Sequence, residues 1–518
     1  MPQTFSTRLC LGAILLSGLL LRLHQLTGVS YWFDESFCLK MVEFPVLEML
    51  QRTLEDPHPP FYYLLLKLWI ALFGDSLLVP RLLSVLCGVL AIVGVFLCVR
   101  EGFRLGGHEV RDEESIFASL LAATFVALSP AHIEWSQQVR MYSLGTALAA
   151  WSSFLLLRAL HRAVSGWNWN WTFYTGIAIA LAYTHYFGLF TVIAQYLFAL
   201  GWLSRQHRSH APAHSGTSFT AVLISAACVY FAWSPWLIPF FDHRQLVAEK
   251  FPTRPFSWSV MGTVLCRTFD LQLVTSVSPE TGFFVAQACF LGLILLLISG
   301  RPLEWFLGVV ASLPFIVAGI TSLFMRTIFV HRYLLMAQMF WLVSLAVLVG
   351  RIPFVSVRRG IGVLLVALLG WITIEHYQVR EFNAALPGMR GAVAYLDETR
   401  QPTEPVVVCN PMLFTSIVAY TQHHDRIYAT GSPLQYPFYQ GTAVMRDDEY
   451  LSAEELNRTP SQKVWTFDAD KWFNHTWSVR MPPGWKEVSR RRFTEFNAEF
   501  IVRCYVRAER LQVPRVSE

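Results

Sequence analysis

Charge is what this sequence has least of. Only 15% of its 518 residues are Asp, Glu, Lys or Arg, against about 25% in soluble domains. With 54% of residues apolar, that shortage excludes a disordered chain and an ordinary cytosolic protein. Paired cysteines are missing too. Nine cysteines are present, but none forms a CxxC pair or a regular spacing, which argues against a zinc module or a disulfide scaffold. No P-loop, GxGxxG, HExxH or GxSxG pattern occurs, so cytoplasmic nucleotide chemistry lacks its usual tools. The formal net charge of +5 is small for this length. It reads as loop charge that sets membrane topology, with no nucleic-acid surface implied. Internal repeats and low-complexity stretches are absent.

What is present is a series of apolar runs. A span needs about 20 mostly apolar residues. Eleven segments qualify: 9–27, 78–99, 115–131, 141–158, 171–186, 187–203, 218–238, 282–299, 303–323, 333–350 and 360–377. Arg22 and His24 interrupt the end of the first, and no A-x-A-like cleavage site follows, so it reads as an uncleaved anchor. Segment 59–74 is apolar but short. Basic residues cluster after alternate spans: Arg100, Arg104 and Arg111; Arg158 and Arg162; Arg205 and Arg208, with His207 and His210; Arg301; Arg351, Arg358 and Arg359. All of these loops are cytoplasmic if the amino terminus is inside and 59–74 dips along the outer face without crossing. The expectation is therefore an α-helical polytopic membrane protein of about eleven spans.

The remaining chain lies outside in this reading. The first outer loop is 28–77, and within it 41–55 looks like one amphipathic interfacial helix, with Phe44, Leu47, Leu50 and Leu54 on a face. A long outer loop covers 239–281. From about 383 the charge density rises and the spans stop. Gly391–Glu398 predicts a helix, Pro405–Cys409 a buried strand, Pro411–Tyr420 a second helix and Phe500–Val506 a closing strand. These describe a small α/β extracytoplasmic domain, giving domain limits of 1–380 and 381–518. Cys409 and Cys504 fall in two predicted strands of an oxidising compartment, and either a pair or two buried thiols would fit.

Polar residues gather at the outer ends of the spans. Asp34 and Glu35 follow the first span in YWFDES, beside Tyr31, Trp32 and Phe33. Carboxylates and aromatic belts are common there, yet a carboxylate against aromatic walls is partly desolvated and suits a general base. Asp56-Pro57-His58-Pro59-Pro60 reads as a proline-rich stop between helices, with Asp56 and His58 held rigidly at the membrane face. His132, Glu134, Gln137 and Arg140 crowd the short loop before Tyr142. Arg140 offers a planar donor fork suited to phosphate, or pairs with Glu134. His185 lies at an outer turn, in Thr184-His185-Tyr186. Arg326, His331, Arg332 and Tyr333 open the tenth span from outside, against the positive-inside preference, where a basic cluster can hold an anion. His423-His424-Asp425 lacks a spaced partner and reads as a surface loop, with only a superficial likeness to a metal cluster.

Several stretches, taken in order, resemble the GT-C superfamily of membrane glycosyltransferases. The likeness is to bacterial members related to protein O-mannosyltransferases and the lipid A aminoarabinose transferase, glycosyltransferase family 39. The stretches are FDES at 33–36, DPHPPFYYLLLKLWIALFGDS at 56–76, RLLSVLCGVL at 81–90, SPAHIEWSQQVRMYSL at 129–144, YTHYFGLF at 183–190 and HRYLL at 331–335. The resemblance implies eleven to thirteen spans, a catalytic first outer loop and a polyprenyl-phosphate sugar donor in the bilayer. It implies Asp34 as base, with Glu35 beside it, and Arg140 and Arg332 as contacts to the donor phosphate. Asp56 and His58 match the family's D-x-H-P-P motif; Tyr142, His185 and Tyr333 fall in the other matched stretches as supporting residues. Where the family's mannosyltransferases carry Leu-Gly-Lys after HPP, Phe61, Tyr62 and Tyr63 stand here, which leaves the sugar and the acceptor (lipid, glycan or protein) open. No cofactor is required, a divalent metal stays open, and the place implied is a bacterial inner membrane with the site outside. The competing class is a transporter or flippase of lipid-linked sugars, which would explain the spans but not charges confined to their outer ends.

Overall fold

The computed structural model describes residues 2–107, 113–162, 167–208, 215–250, 257–270, 279–324, 328–472 and 475–508. Arg111, His210 and Arg326 of the sequence reading lie outside them. The chain divides into two compact units. One comprises Met1–Leu26 and Pro57–Tyr377; the other comprises Thr27–Asp56 and Gln378–Glu518. Residues 27–56, expected with the spans, thus group with residues 378–518.

The first unit is a helical bundle. Among the described residues, nine helices are long and apolar enough to cross a membrane, or ten if the bent pair Glu113–Leu128 and Pro130–Ser136 is one span. Of the eleven expected spans, 171–186 is the exception. It is a 14-residue helix, Trp169–Ala182, about 21 Å long against a hydrocarbon core of about 30 Å. Its ends show what it does. Helix Tyr142–His161 starts beside Arg140. Trp169–Ala182 packs against that helix, and His185 then lies 5.6 Å from Tyr142, ring to ring. The short helix therefore carries the chain back across the bundle as an eleventh passage.

Segment 59–74 behaves differently. It forms the 13-residue helix Phe61–Phe73. At its start, Phe61 N–H donates to Tyr183 O at 3.1 Å. From within it, Trp69 Nε1 donates to Val79 O at 2.8 Å, and beyond its end Arg81 Nη1 donates to Leu26 O at 2.6 Å. Gln137 Nε2 donates to His24 O at 2.7 Å, which puts Leu26 and Arg140 at one end of the bundle. The helix leaves and returns at that end and does not cross. Tyr377 stacks edge-on against His24 at 5.0 Å, so the last helix of this unit ends at the same end of the bundle.

The second unit contains a mixed seven-stranded sheet. Its strands are β1 (Val406–Val408), β2 (Ile427–Thr430), β3 (Tyr450–Leu451), β4 (Lys463–Trp472), β5 (His475–Trp477), β6 (Trp485–Glu495) and β7 (Ala498–Arg507). Their order is β3-β2-β1-β4-β7-β6, with β5 beside β4. The first four are parallel and the rest antiparallel. β1 is apolar at every position because it is buried on both faces. Asn410 then caps helix Pro411–Val418, its Oδ1 accepting from Leu413 N–H at 2.9 Å, with Pro411 at the first helical position. The four expected tail elements appear as helix Gly388–Thr399, β1, helix Pro411–Val418 and β7.

One expectation is corrected here, and one open alternative is decided. The single helix over 41–55 is two, Phe33–Glu43 and Val46–Arg52, because Pro45 has no N–H to continue the first. The anticipated apolar face is split accordingly: Phe44 is buried, whereas Leu47 and Leu54 are exposed. Cys409 and Cys504 are free thiols. Cys409 N–H bonds Phe467 O of β4 from one side, and Cys504 pairs Trp465 of β4 from the other. Two strand spacings, about 9.5 Å, exceed disulfide reach.

Candidate active site

The helical unit builds its polar end around a bend. Helix Glu113–Leu128 stops at Ser129 because Pro130 disfavours a helical residue before it, and Pro130–Ser136 restarts at 58°. Such a break frees backbone carbonyls and N–H groups that lipid cannot satisfy. Arg22 takes the carbonyls. Its side chain, fully buried in the first span, donates to Gly18 O at 3.0 Å, Ala127 O at 3.1 Å, Val126 O at 3.0 Å and Ser136 Oγ at 3.1 Å. Gly88 makes room, since a Cβ there would stand 2.2 Å from Ser136 Oγ and 2.6 Å from Arg22 Nε.

Asp270 takes the other side of the bend, accepting from Ser129 Oγ and from Ala131 N–H, each at 2.8 Å. Burial pushes its carboxyl up to about 7; the two hydrogen bonds oppose that rise and nearby Glu134 adds to it. Gln137 closes the first span by donating to its last carbonyls, Arg22 O at 3.1 Å among them.

This frame places Arg140, which is buried. Its Nη2 lies 3.4 Å from His58 Nε2. His58 lies 6.0 Å from His185, and His185 lies 5.2 Å from Tyr333. Arg332 sits 5.4 Å over the Tyr333 ring and Arg140 5.8 Å over Tyr142. Trp135 extends this aromatic wall, 4.6 Å from Tyr142 and 6.2 Å from His331.

His185 lies in the turn between two helices, and its Nδ1 accepts from Phe187 N–H at 3.1 Å. Burial first, then His58, Arg140 and Arg332, hold it well below the usual histidine range. Two guanidiniums therefore act on one buried neutral ring, so the local field is positive and suited to an anion.

The structure brings together His58, Arg140, Tyr142, His185, Arg332 and Tyr333. Asp34, Glu35 and Asp56 belong to the other unit. There, Asp34 and Glu35 occupy the first turn of Phe33–Glu43. Glu35 is buried and turns its Oε2 back to Trp32 N–H at 3.3 Å as a helix cap; Asp34 is half-buried. Asp56 is buried just before Pro57. Among the described residues, no group of three or more His, Cys, Asp or Glu could hold a metal ion. Arg22, Ser136 and Asp270 were missed from the sequence. The charge of Arg22 inside an apolar span was the available signal; Asp270, alone in a long loop, gave none.

Residues 57–236, less than half of the chain, match the family model described as dolichyl-phosphate-mannose-protein mannosyltransferase. That stretch includes His58, Arg140, Tyr142 and His185. Among solved structures the chain is similar to ArnT from Cupriavidus metallidurans in the apo state, at 13% identity and a TM-score of 0.55, over 97% of this chain and 98% of that one. ArnT bound to undecaprenyl phosphate matches at 12% identity and a TM-score of 0.54, over 95% and 97%. The archaeal oligosaccharyltransferase AglB from Archaeoglobus fulgidus, in complex with an inhibitory peptide and a dolichol-phosphate, matches at 13% identity and a TM-score of 0.50, over 89% of this chain and 69% of that one. No curated protein sequence matches the chain. At these identities the likeness is one of fold.

Proposed function

We propose that this multi-pass membrane protein, whose fold is like that of ArnT, is a glycosyltransferase of the GT-C type. It takes a sugar from a polyprenyl-phosphate-linked donor and gives it to a lipid, glycan or protein acceptor at the outer face of a bacterial inner membrane. The observation that carries this reading is the gathering of Arg140 and Arg332 over Tyr142 and Tyr333, the two rings that flank buried His185. A polyprenyl phosphate leaves as an anion, and cations preorganised where that charge develops lower the barrier.

In the proposed step the acceptor O–H or N–H attacks the anomeric carbon. The bond from that carbon to the phosphate oxygen breaks, and its electron pair departs with the polyprenyl phosphate. Asp34 takes the acceptor proton. Glu35, whose carboxylate caps the helix beside it, supports Asp34. His58, Tyr142, His185 and Tyr333 shape the phosphate end, with Asp56 adjoining His58 in sequence. One displacement inverts the centre. Residues 1–380 would form the transferase domain and 381–518 an extracytoplasmic domain.

The test uses purified full-length protein in sealed proteoliposomes with a panel of labelled undecaprenyl-phosphate sugars. Cleavage of one donor, with undecaprenyl phosphate appearing and Arg140→Ala abolishing it, supports the reading. Donor crossing the bilayer uncleaved would replace it with the flippase.

A further inference from the structure

The helix that carries Asp34 is poorly equipped to stand alone. Phe33–Glu43 is 11 residues long, below the roughly 12–15 at which isolated helices become even marginal in water. Seven of its residues are buried, and Asp34 is not one of them. What holds it is the C-terminal domain, in the same compact unit.

The grip begins before the helix. Tyr31 N–H donates to Tyr420 Oη, and the two rings lie 5.6 Å apart. Ser30 N–H donates to Glu495 Oε1 at 3.1 Å, while the other oxygen of Glu495 takes Met389 N–H at 3.0 Å. Arg390 donates to Thr27 O at 3.0 Å and Gly28 O at 2.7 Å. Along the helix, Pro411–Val418 packs against it. Gly441, at φ +86°, lies so close that a Cβ would stand 3.1 Å from the Phe33 ring. At the far end, buried Lys40 reaches Glu449 at 2.8 Å. After the turn at Pro45, Arg52 donates to Ala443 O at 2.9 Å and Met445 O at 3.0 Å. These contacts bind the loop before, along and after Asp34, and none involves Asp34 itself.

We propose that the C-terminal sheet domain serves the transfer reaction as the holder of the acidic loop, fixing Asp34 through Tyr420, Glu449 and Glu495 as positioning residues. This rests on Asp34 being the base. A group misplaced by about 1 Å can cost on the order of 100-fold in rate, so a domain remote from the chemistry can still set turnover.

The test uses full-length protein in nanodiscs and the undecaprenyl-phosphate sugar cleaved in the assay above. Tyr420→Phe and Glu449→Gln should each lower kcat by about tenfold, with donor KM changed by less than about twofold, since they disturb orientation and not donor binding. Amides of 34–42 should exchange faster with solvent. In an Asp34→Asn background neither change should lower kcat further, because both act through the same group. The exchange Lys40→Glu with Glu449→Lys should restore much of the loss. Full kcat in both single variants, or an undiminished loss in the Asp34→Asn background, would overturn the holder role while leaving the base intact. Full turnover by Asp34→Asn alone overturns the base, and the holder role with it.

Discussion

Asp270 and Ser129, 141 positions apart, share a 2.8 Å hydrogen bond. The same carboxylate holds Ala131 N–H, so one side chain secures the restart of the broken helix that leads to Arg140. Asp270 is left-handed, at φ +63°, a conformation Asp tolerates better than most residues.

Its carboxyl gives a pH prediction. The folded value is about 7, above the ordinary 3.8. A raised carboxyl contributes stability that is fully present below the unfolded value and lost as pH rises through the folded one. Thermal unfolding in detergent should therefore show stability falling between pH about 4 and 7, by at most roughly 4 kcal/mol from this group. Asp270→Asn should flatten that slope. An unchanged slope would remove Asp270 as its source.

Arg22 should be a stability residue. Arg22→Leu strips donors from three carbonyls and Ser136 at once, a loss expected to cost about 3 kcal/mol or more in a buried site. Lys should rescue only in part, lacking the planar fork. Gly88→Ala should cost about 1–3 kcal/mol by crowding the same pair. Unfolding midpoints in detergent check all three.

What the sequence revealed and what it hid follow from range. The tail elements were readable because apolar alternation and helical spacing are local signals: Gly391–Glu398 sits inside the observed Gly388–Thr399, and Pro405–Cys409 brackets β1. His58, Arg140, Tyr142, His185, Arg332 and Tyr333 were readable from their motifs. Their support was not, because Arg22 meets Ser136 across 114 positions and no local pattern marks either end. The same reason hid the partnership of the first loop with the tail, whose contacts cross 360 positions or more.

Arg140 and Arg332 are expected to bind the donor phosphate. Alanine at either should weaken binding of undecaprenyl phosphate by about 1.5–3 kcal/mol, the scale of a hydrogen bond to a charged group. Lysine should recover part. Equilibrium binding in nanodiscs measures this; unchanged affinity in both alanine variants would sink the assignment.

Asp34 and Glu35 should separate by what they affect. Asp34→Asn should fold and bind donor but turn over about 100-fold more slowly, the usual worth of a general base. Glu35→Ala should instead lower stability by about 0.5–2 kcal/mol, the worth of a helix cap. Near-normal turnover in Asp34→Asn would take Asp34 out of the mechanism.

The last prediction concerns sidedness, and geometry sharpens it. Phe61–Phe73 returns to the end it left, and Trp169–Ala182 carries the chain across. Counting the bent pair once and Trp169–Ala182 as a passage gives eleven. An odd number puts Tyr377 opposite the amino terminus. Arg104, Arg158, Arg205, Arg301 and Arg351 then all fall at the other end, the one that positive-inside bias assigns to the cytoplasm. A reporter active only outside the cytoplasm, fused after Glu518, should be active. One active only inside should be silent there and report when fused at Arg162. Signal from the inside reporter after Glu518 would mean that one passage has been miscounted. Trp169–Ala182, the shortest of them, would be the first to re-examine.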